Sequence, residues 1–423
     1  MNINVTFDEW INNRKLPFWG TNFGTEAIAF QRWRHFKEAY APEIIQRALA
    51  ESDIVVNNCL DPFGGSGTTA LACQFLGVDP ITIEVNPYLS DLIKAKLETY
   101  DLLSLTQDFG EVVNLSYLTS IDIENVKKYL PPTFIEPGVK GRWIFNYKCA
   151  VRIFSILHAI DEVKDAKNKN LFKILLGGIL IELSNVKIDG KGRRYKKNWQ
   201  SNIIPENNVD VIFQQAVNNA ISDITTFQNR ETLNYTLLTG DSRKLIKNVS
   251  KVDLCIFSPP YPNSFDYTDV YNVELWVLGY LKNASDSIGL RKRTLTSHVQ
   301  TKREYSLPPK SSATLDITLK ALESVKGELW HKDIPHMVGA YFFELKLLME
   351  AIKAKLSKNA KLWMIVGDSK YHGVYIPVAD ILSELANNLG FTIDTIESFR
   401  SMRSSAQQGG RKDLKETLIV LKN

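Results

Sequence analysis

The pattern of apolar and polar positions along the chain predicts strands that alternate with helices. An apolar run at residues 54–60 precedes a helix-like stretch at 70–76, and a second run at 81–83 precedes a helical pattern that ends at Leu97. The alternation returns after residue 232, where strands are predicted at 233–241, 252–257, 361–368, 391–396 and 416–421, with helices at 270–281, 340–356 and 378–389. Such alternation predicts a parallel, doubly wound sheet.

The stretch between these two sets of elements is too long to be a loop. Within it, apolar residues recur at helical spacing at 143–163, 171–183 and 209–227. We therefore predict a mostly helical insert, 100–232, that divides one α/β domain into an N-terminal part, 1–99, and a C-terminal part, 233–423. Residues 282–335 are polar, with basic positions and many Ser and Thr, and we predict an irregular basic loop there.

A glycine-rich turn, Asp61-Pro-Phe-Gly-Gly-Ser-Gly-Thr-Thr69, joins the first predicted strand to the first predicted helix. Its glycines let the backbone approach a ligand without a Cβ in the way, and the helix that follows offers unpaired N–H groups. Glu84 ends the second apolar run, where nucleotide-binding α/β folds place the carboxylate that holds ribose hydroxyls. The pattern favours a polar or anionic small molecule as the ligand.

Spacing separates the ligand classes that use such turns. A phosphate-binding P-loop needs a Lys before its Ser or Thr, and no Lys lies between Gly64 and Thr69. A dinucleotide fingerprint is met in part, because Gly65-Ser-Gly67 supplies its first pair of glycines and Ala70 stands in the third place. That alternative and a glycine turn without a ligand both stay open on this stretch alone.

A second motif, Ser258-Pro-Pro-Tyr261, directly follows the strand predicted at 252–257. Phe63-Gly-Gly-Ser-Gly67 resembles the Phe-x-Gly-x-Gly motif of S-adenosylmethionine-dependent DNA amino-methyltransferases of the cytosine-N4 and adenine-N6 type, and Ser-Pro-Pro-Tyr resembles their second signature. The resemblance implies a Rossmann-like, doubly wound, mostly parallel seven-stranded sheet, with S-adenosylmethionine as the cofactor. It covers residues 30–98 and 233–281, follows 340–421 in outline, and hardly reaches the insert.

The resemblance also implies roles for individual residues. It places Glu84 at the cofactor's ribose, Asp241 with Ser242 at its adenine, and the stretch from Tyr40 to Pro42 near its methionine part, although simple core packing also explains that stretch. The residues implied to bind the cofactor are Asp61, Pro62, Phe63, Gly64, Gly65, Ser66, Gly67, Glu84, Asn86, Asp241 and Ser242. Those implied to be catalytic are Ser258, Pro259, Pro260 and Tyr261.

The second motif also has a physical logic of its own. Neither Pro259 nor Pro260 has an N–H, so the local backbone offers only carbonyl acceptors, whereas an exocyclic amino group donates two hydrogen bonds. If Ser258 Oγ and the Pro259 carbonyl accept them, the nitrogen lone pair is aimed at the sulfonium methyl group. Tyr261 would stack on a base swung out of the duplex. A proline-rich turn that merely closes the strand is the alternative.

The sequence leaves four hypotheses about the function. A serine at the first position of the motif is usual in this family where cytosine is the target, which predicts a site-specific DNA methyltransferase acting on cytosine N4 in a restriction-modification or defence system. The resemblance leaves open an adenine-N6 enzyme and an RNA amino-methyltransferase. A non-catalytic DNA-binding subunit is the alternative from another class.

Any DNA-binding surface must come from local clusters of basic residues. The chain has 423 residues, is 44% hydrophobic, and carries a formal net charge of only +4, so overall charge does not supply nucleic-acid affinity. Residues 187–199 hold six Lys and Arg against one Asp, although charge runs are commonly solvated loops. The insert is therefore the predicted target-recognition region, with 282–335 as its rival. The predicted DNA contacts are Lys191, Arg193, Arg194, Tyr195, Lys196, Lys197, Arg291 and Arg293.

The cysteines, the N-terminal residues and the histidines indicate the cellular compartment and the ligands to expect. The four cysteines lie in apolar segments without a Cys-x-x-Cys pair, which predicts buried free thiols in a reducing cytoplasm. The first residues lack the basic start and apolar core of a signal peptide, and the apolar run at 174–181 is too short to cross a bilayer. His331 and His336 lack cysteine partners, so no metal site is predicted. The expected partners are double-stranded DNA with its target base flipped out and a possible cognate restriction nuclease, but no membrane.

Overall fold

The structure is a computed structural model that describes residues 5–14, 16, 24–34, 39–189, 192–201, 203–402 and 414–423. Its strands are β1 (Asn58–Asp61), β2 (Asp79–Glu84), β3 (Val186–Asp189), β4 (Gly192–Tyr195), β5 (Thr236–Thr239), β6 (Val252–Phe257), β7 (Leu356–Gly367), β8 (Ser369–Tyr371), β9 (Val374–Ile376), β10 (Thr392–Met402) and β11 (Leu414–Lys422). Its α-helices are α1 (Phe7–Trp10), α2 (Glu43–Ala50), α3 (Thr68–Phe75), α4 (Pro87–Leu97), α5 (Leu102–Leu118), α6 (Ile123–Lys127), α7 (Tyr147–Asp161), α8 (Ala166–Ile179), α9 (Glu206–Phe227), α10 (Ser242–Leu245), α11 (Tyr267–Val270), α12 (Asn272–Val277), α13 (Ala284–Arg293), α14 (Ala313–Ser324), α15 (Ile334–Lys353) and α16 (Val378–Asn388).

A mostly parallel sheet organises the molecule, which confirms the predicted fold class. Within the described residues, seven strands lie in the order β10-β11-β7-β6-β1-β2-β5, and β11 is antiparallel to both of its neighbours. The chain moves outward from β1 through β2 to β5 and then returns to β6, which pairs with β1 in parallel. This reversal beside β1 is a topological switch point, where doubly wound folds bind ligands beyond the carboxyl ends of their strands.

Two buried layers cover the faces of the sheet. In β6, Leu254 and Ile256 join the cluster that contains α3, α4 and the insert helices, whereas Cys255 and Phe257 join the cluster under α15 and α16. Successive side chains of a strand point to opposite faces, so a strand covered on both sides reads as one continuous apolar run. This explains why residues 252–257 were predicted to the correct bounds. All four cysteines are buried and free, as expected.

The insert carries α5 to α9 and a two-stranded hairpin of β3 and β4. Phe172 and Phe213 from its helices belong to the same buried cluster as Cys59 and Leu254 of the sheet, so insert and sheet share one core. Asp223 of α9 accepts hydrogen bonds from the Phe30 amide and the Trp33 indole, each at 2.9 Å. The insert thereby fixes the segment that precedes β1.

Several predicted elements differ from the structure. Strand β1 begins only at Asn58, because residues 54–57 alternate between half-buried and exposed positions and pair with no strand among the described residues. The helix predicted at 270–281 is divided into α11 and α12. The predicted irregular loop at 282–335 contains α13 and α14.

The helices of residues 282–335 begin at side-chain caps. Asn283 Oδ1 accepts from the Asp286 amide at 3.0 Å, and Ser312 Oγ accepts from the Leu315 amide at 3.0 Å. Such caps satisfy N–H groups that a helix leaves unpaired at its first turn, and they were readable in the sequence as helix starts. Across the described part of the chain, none of the helices has the length and apolar character needed to span a bilayer.

Candidate active site

The turns after β1, β2, β5 and β6 meet at one cavity of about 380 Å³ beyond the carboxyl ends of the strands. Most of the predicted site residues line it, namely Asp61, Pro62, Phe63, Gly64, Gly65, Ser66, Glu84, Asn86, Asp241, Ser242, Ser258, Pro259, Pro260 and Tyr261. Gly67 is the exception. Gly67 caps the N-terminus of helix α3 with a φ of 82° and does not line the cavity. A glycine is needed at this position for the conformation of the backbone.

The conformation of the glycine turn explains its composition. Gly65 has a φ of 53°, in the left-handed region that other residues rarely adopt. A Cβ on Gly64 would lie 2.4 Å from Thr82 Cγ2 and 2.9 Å from Ile93 Cδ1, so the turn packs too closely against β2 and α4 for any side chain. The backbone itself therefore forms this wall of the cavity.

Asp61 braces the glycine turn from inside. Its carboxylate accepts hydrogen bonds from the Phe63 amide at 2.9 Å and from Thr69 Oγ1 at 2.6 Å. Tyr40 also lines the cavity, and its hydroxyl lies 2.5 Å from Thr69 Oγ1. Burial raises the pKa of Asp61 to about 6. The Asp61 carboxylate thus makes its hydrogen bonds within the turn.

Glu84 lies at the end of β2, the strand that pairs with β1. Its Oε2 accepts from the Gly65 amide at 2.7 Å, and its Oε1 accepts from the Asn86 amide at 2.7 Å. Burial raises the pKa of Glu84 to about 7. An ionised carboxylate has about four acceptor positions, so Glu84 can still receive two donors such as the hydroxyls of a ribose. Asn86 uses its own Oδ1 to cap α4 through the Tyr88 amide at 3.0 Å.

Asp241 begins helix α10 at the end of β5. Its two oxygens accept from Arg243 Nε and Nη2, both at 2.8 Å, and Arg243 also pairs with Glu344 at 2.6 Å. Asp241 and Ser242 line the cavity as predicted. The bonds to Arg243 already use part of the acceptor capacity that the predicted adenine contact would require.

The Ser-Pro-Pro-Tyr motif forms the opposite wall, at the end of β6. Ser258 Oγ donates to the Tyr261 hydroxyl at 3.3 Å, and that hydroxyl donates to Glu416 Oε1 at 3.0 Å. Glu416 is in turn paired with Arg400, whose Nε lies 2.6 Å from Oε2. Burial, followed by the charge of Glu416, raises the pKa of Tyr261 well above its usual range, so the phenol stays a neutral donor.

Sequence reasoning missed Glu416 and Arg400, which come from β11 and β10. Both line the cavity, yet Glu416 is 155 residues away from Tyr261 along the chain. One signal was available. Glu416 stands before the apolar run at 418–421 and is only 5% exposed, and a carboxylate buried to that degree needs a partner.

Two further buried side chains at this site carry no sequence motif. Lys96 of α4 is fully buried and donates to the Ser66 carbonyl at 2.7 Å and to Gln31 Oε1 at 3.0 Å, and burial lowers its pKa to about 7. His298 lines the cavity, is 1% exposed, and has no hydrogen-bond partner for Nδ1 among the described residues. Burial lowers the pKa of His298 to about 4, so the ring is neutral near pH 7.

Within the described residues, the basic segment forms β3, β4 and the turn that follows β4. The Tyr195 and Trp199 rings pack against each other with a centroid separation of 4.5 Å, so each ring has a partner within the protein. Arg194 and Lys197 are exposed, whereas Lys196 Nζ donates to the Glu182 carbonyl at 3.0 Å. Lys191 lies outside the described residues.

The hairpin lies beside the segment that follows the Ser-Pro-Pro-Tyr motif. A Cβ on Gly192 would come within 4.0 Å of Asp269 Oδ2 in α11, and Arg193 lies over the Phe134 ring at 5.6 Å. On the other side of α11, Arg291 pairs with Asp266 at 2.5 Å and with Asp269 at 3.6 Å. Arg293 is exposed and lines the rim of the cavity.

The strand order, the antiparallel β11 and the position of both motifs define the architecture of a methyltransferase. The family of N6 and N4 methyltransferases described as "DNA methylase" matches residues 13–95. The Type II methyltransferase M.AvaI from Nostoc sp. is 25% identical, over 92% of this chain and 85% of its own length. The Type II methyltransferase M.BsoBI from Geobacillus stearothermophilus is 24% identical, over 96% of this chain and 88% of its own length.

Among solved structures, the rRNA methyltransferase aviRa from Streptomyces viridochromogenes aligns with 91% of this chain and 85% of its own, at 10% identity and a TM-score of 0.30. That similarity is too low to support an inference about function. The family match over residues 13–95 and the similarity to two Type II methyltransferases support a relationship of this chain to the S-adenosylmethionine-dependent amino-methyltransferase family.

Proposed function

We propose that this protein transfers a methyl group from S-adenosylmethionine to the N4 amino group of cytosine in double-stranded DNA. The observation that carries the proposal is the convergence of Gly65, Glu84 and Ser258 on one cavity at the switch point of the sheet. A cofactor held by the first two residues would present its methyl group toward the third. The Type II relatives favour a restriction-modification setting, in which a cognate nuclease is the expected partner.

The chemistry of the cavity fits S-adenosylmethionine. The bare backbone at Gly64 and Gly65 leaves room for a polar ligand against the turn, and Glu84 is a buried acceptor suited to ribose hydroxyls. Asp241 and Ser242 stand at the end of the neighbouring strand, where we propose the adenine contact. When bound, the cofactor supplies a methyl group on a positively charged sulfur.

Ser258 and the proline carbonyl orient the target amino group. Ser258 Oγ donates a hydrogen bond to the Tyr261 hydroxyl, so the lone pairs of Oγ remain free to accept a hydrogen bond from an N–H of the base. The Pro259 carbonyl accepts the second N–H. Catalysis of this kind depends on positioning more than on proton removal, because the two acceptors aim the nitrogen lone pair along one direction.

The base must leave the duplex to reach this cavity. We propose that the Tyr261 ring, whose hydroxyl bonds to Glu416, stacks on the extruded base. Arg194 of β4 and Lys197 of the turn after it are exposed cations, and we propose that they contact the DNA backbone. Ser258 as the first motif residue favours cytosine over adenine within this family.

Nucleoside mass spectrometry tests the proposal. Plasmid DNA and RNA are each incubated with the protein and with S-adenosylmethionine carrying a deuterated methyl group, then digested and weighed. The expected product is N4-methylcytosine in DNA carrying the deuterated methyl group, and Ser258→Ala should slow its formation about 100-fold while leaving cofactor binding intact.

Each other result points to a different function. N6-methyladenine would overturn the base assignment and keep the reaction class. Methylated RNA beside unmodified DNA would overturn the substrate class. DNA binding without any methylated product would favour the non-catalytic DNA-binding subunit.

A further inference from the structure

The catalytic wall of the cavity contains a chain of hydrogen bonds with a defined direction. It runs from Ser258 Oγ to the Tyr261 hydroxyl at 3.3 Å and from there to Glu416 Oε1 at 3.0 Å. Arg400 closes the chain with Nε at 2.6 Å from Glu416 Oε2 and Nη2 at 3.4 Å from Oε1. The chain thus joins the motif after β6 to the antiparallel strands β10 and β11.

The Glu416–Arg400 ion pair fixes the direction of this chain. A carboxylate only accepts hydrogen bonds and a guanidinium only donates them, so the Tyr261 proton must point to Glu416. The tyrosine oxygen is then free to accept, and the Ser258 proton points to it. Ser258 is left with its lone pairs toward the cavity, which is the arrangement that a donor group on the ligand requires.

We propose that Glu416 is a positioning residue that sets Ser258 as a hydrogen-bond acceptor and thereby selects an amino group over a carbonyl oxygen at the reacting position. The inference rests on the proposed function, because it concerns the same reaction. It goes beyond that function by assigning the choice between amino and carbonyl groups to a carboxylate that does not itself reach the base.

Substitution of Glu416 by Gln gives a sharp test because the amide can reverse the chain. Arg400 has only donors and holds the amide oxygen, so the amide NH2 faces Tyr261. The phenol then accepts from Gln and donates to Ser258, whose own proton is driven into the cavity toward the N–H of the base. We expect Glu416→Gln to lower kcat about 100-fold, a typical loss for one misdirected polar contact in a transition state.

Tyr261→Phe separates this effect from stacking, since the ring is retained. Without the phenol, Ser258 can rotate freely, and we expect a smaller loss of kcat, about 10-fold. The double variant Tyr261→Phe/Glu416→Gln should return to that 10-fold level, because the reversed chain no longer reaches Ser258. A rescue of this kind is the signature of a directional chain, since independent structural defects would add.

The variants are assayed together for kcat on plasmid DNA, for cofactor affinity by calorimetry and for their melting temperature. Glu397→Gln is the matched control, because Glu397 is also a strand carboxylate paired with an arginine, Arg47, at 2.7 Å. Its kcat should equal that of wild type. If Glu416→Gln does not fold, Ser258→Ala and Ser258→Ala/Tyr261→Phe provide the test, and their kcat values should be equal because the phenol acts only through Ser258.

Three results would overturn the inference. One is wild-type kcat in Glu416→Gln, another is a double variant slower than Glu416→Gln alone, and the third is an additive loss in Ser258→Ala/Tyr261→Phe. All three presuppose an active wild-type protein, so they leave the proposed function standing. A wild-type protein that methylates no base in DNA or RNA would overturn the proposed function together with the inference.

Discussion

The two walls of the cavity are held together over very different distances along the chain. On the glycine-turn wall, Asp61 bonds to the amide of Phe63, and Glu84 bonds to the amide of Asn86, each two residues away. On the catalytic wall, Tyr261 depends on Glu416, which arrives only with the last strand of the sheet. One wall is thus set by local backbone geometry and the other by completion of the fold.

This difference predicts that cofactor binding and turnover can be damaged separately. The glycine turn and Glu84 belong to β1 and β2, whereas Glu416 and Arg400 belong to β11 and β10 on the far side of β7. Changes on the first wall should alter cofactor affinity, and changes on the second should alter kcat alone.

The largest expected effect is on the first wall. Gly65→Asp places a side chain and an unpaired negative charge beside Glu84, where the ligand approaches the backbone. An uncompensated buried charge costs about 3 kcal/mol or more, so S-adenosylmethionine affinity should fall at least 100-fold. Isothermal calorimetry measures this loss directly.

Gly141→Asp is the matched control, because Gly141 has a similar left-handed φ of 65° and open space around it. It should strain the backbone to the same degree and leave cofactor binding unchanged. Undiminished binding by a folded Gly65→Asp protein would contradict the cofactor assignment of this turn.

The contrast also explains what could be read from the sequence. The succession of strands and helices along the chain and both motifs were predictable, because a strand covered on both faces is a continuous apolar run and a tight turn requires glycine. The partners of Tyr261, the buried Lys96 and the neutral His298 were not, because burial and pairing across the sheet depend on contacts that leave no local pattern. The helices α13 and α14 were missed although Asn283 and Ser312 marked their starts.

The next effect concerns the second wall. Ser258→Ala removes one of the two proposed acceptors for the amino group, so kcat should fall about 100-fold while cofactor affinity stays at the wild-type value. Single-turnover methylation measures the loss of rate, and calorimetry on the same preparation measures the cofactor affinity. A loss of cofactor affinity equal to the loss of kcat would show that the two walls are not independent.

Glu84 should make cofactor affinity depend on pH. Burial raises its pKa to about 7, and ribose hydroxyls donate to the ionised form, so below that pH the carboxyl must lose a proton before it binds. Affinity should therefore rise about tenfold per pH unit up to pH 7 and then level off. Calorimetry from pH 5.5 to 8.5 tests this, and Glu84→Gln should remove the slope. Asp61→Asn should keep it, since Asp61 faces the turn.

The raised pKa of Glu84 also makes the free energy of unfolding depend on pH. Between the unfolded pKa near 4.5 and the folded pKa near 7, the folded protein holds a proton on Glu84 that the unfolded chain has lost. Stability from this group is present at low pH and falls as pH rises through that window. Urea unfolding of the cofactor-free protein at pH 5 and pH 8 should show that Glu84→Gln makes the change in the free energy of unfolding from pH 5 to pH 8 more positive than in wild type. An equal change in both proteins would contradict the raised pKa.

The smallest expected effect lies outside both walls, on the β3–β4 hairpin and the turn that follows it. Arg194 and Lys197 are exposed, whereas Arg193 and Lys196 make contacts within the protein. Arg194→Ala/Lys197→Ala should lower the slope of log affinity for DNA against log salt by up to about 1.8, since each lost phosphate contact is worth about 0.9. Melting temperature and cofactor affinity should not change.

The control for the hairpin is Lys358→Ala, because Lys358 is exposed near the start of β7, at the end of the sheet opposite the cavity. Its salt slope should equal that of wild type. Arg193→Ala and Lys196→Ala should instead lower the melting temperature, because they remove contacts to Phe134 and to the Glu182 carbonyl. An unaltered slope in the Arg194/Lys197 variant would make the hairpin a solvated surface and shift the search for a DNA contact to Arg293 at the cavity rim.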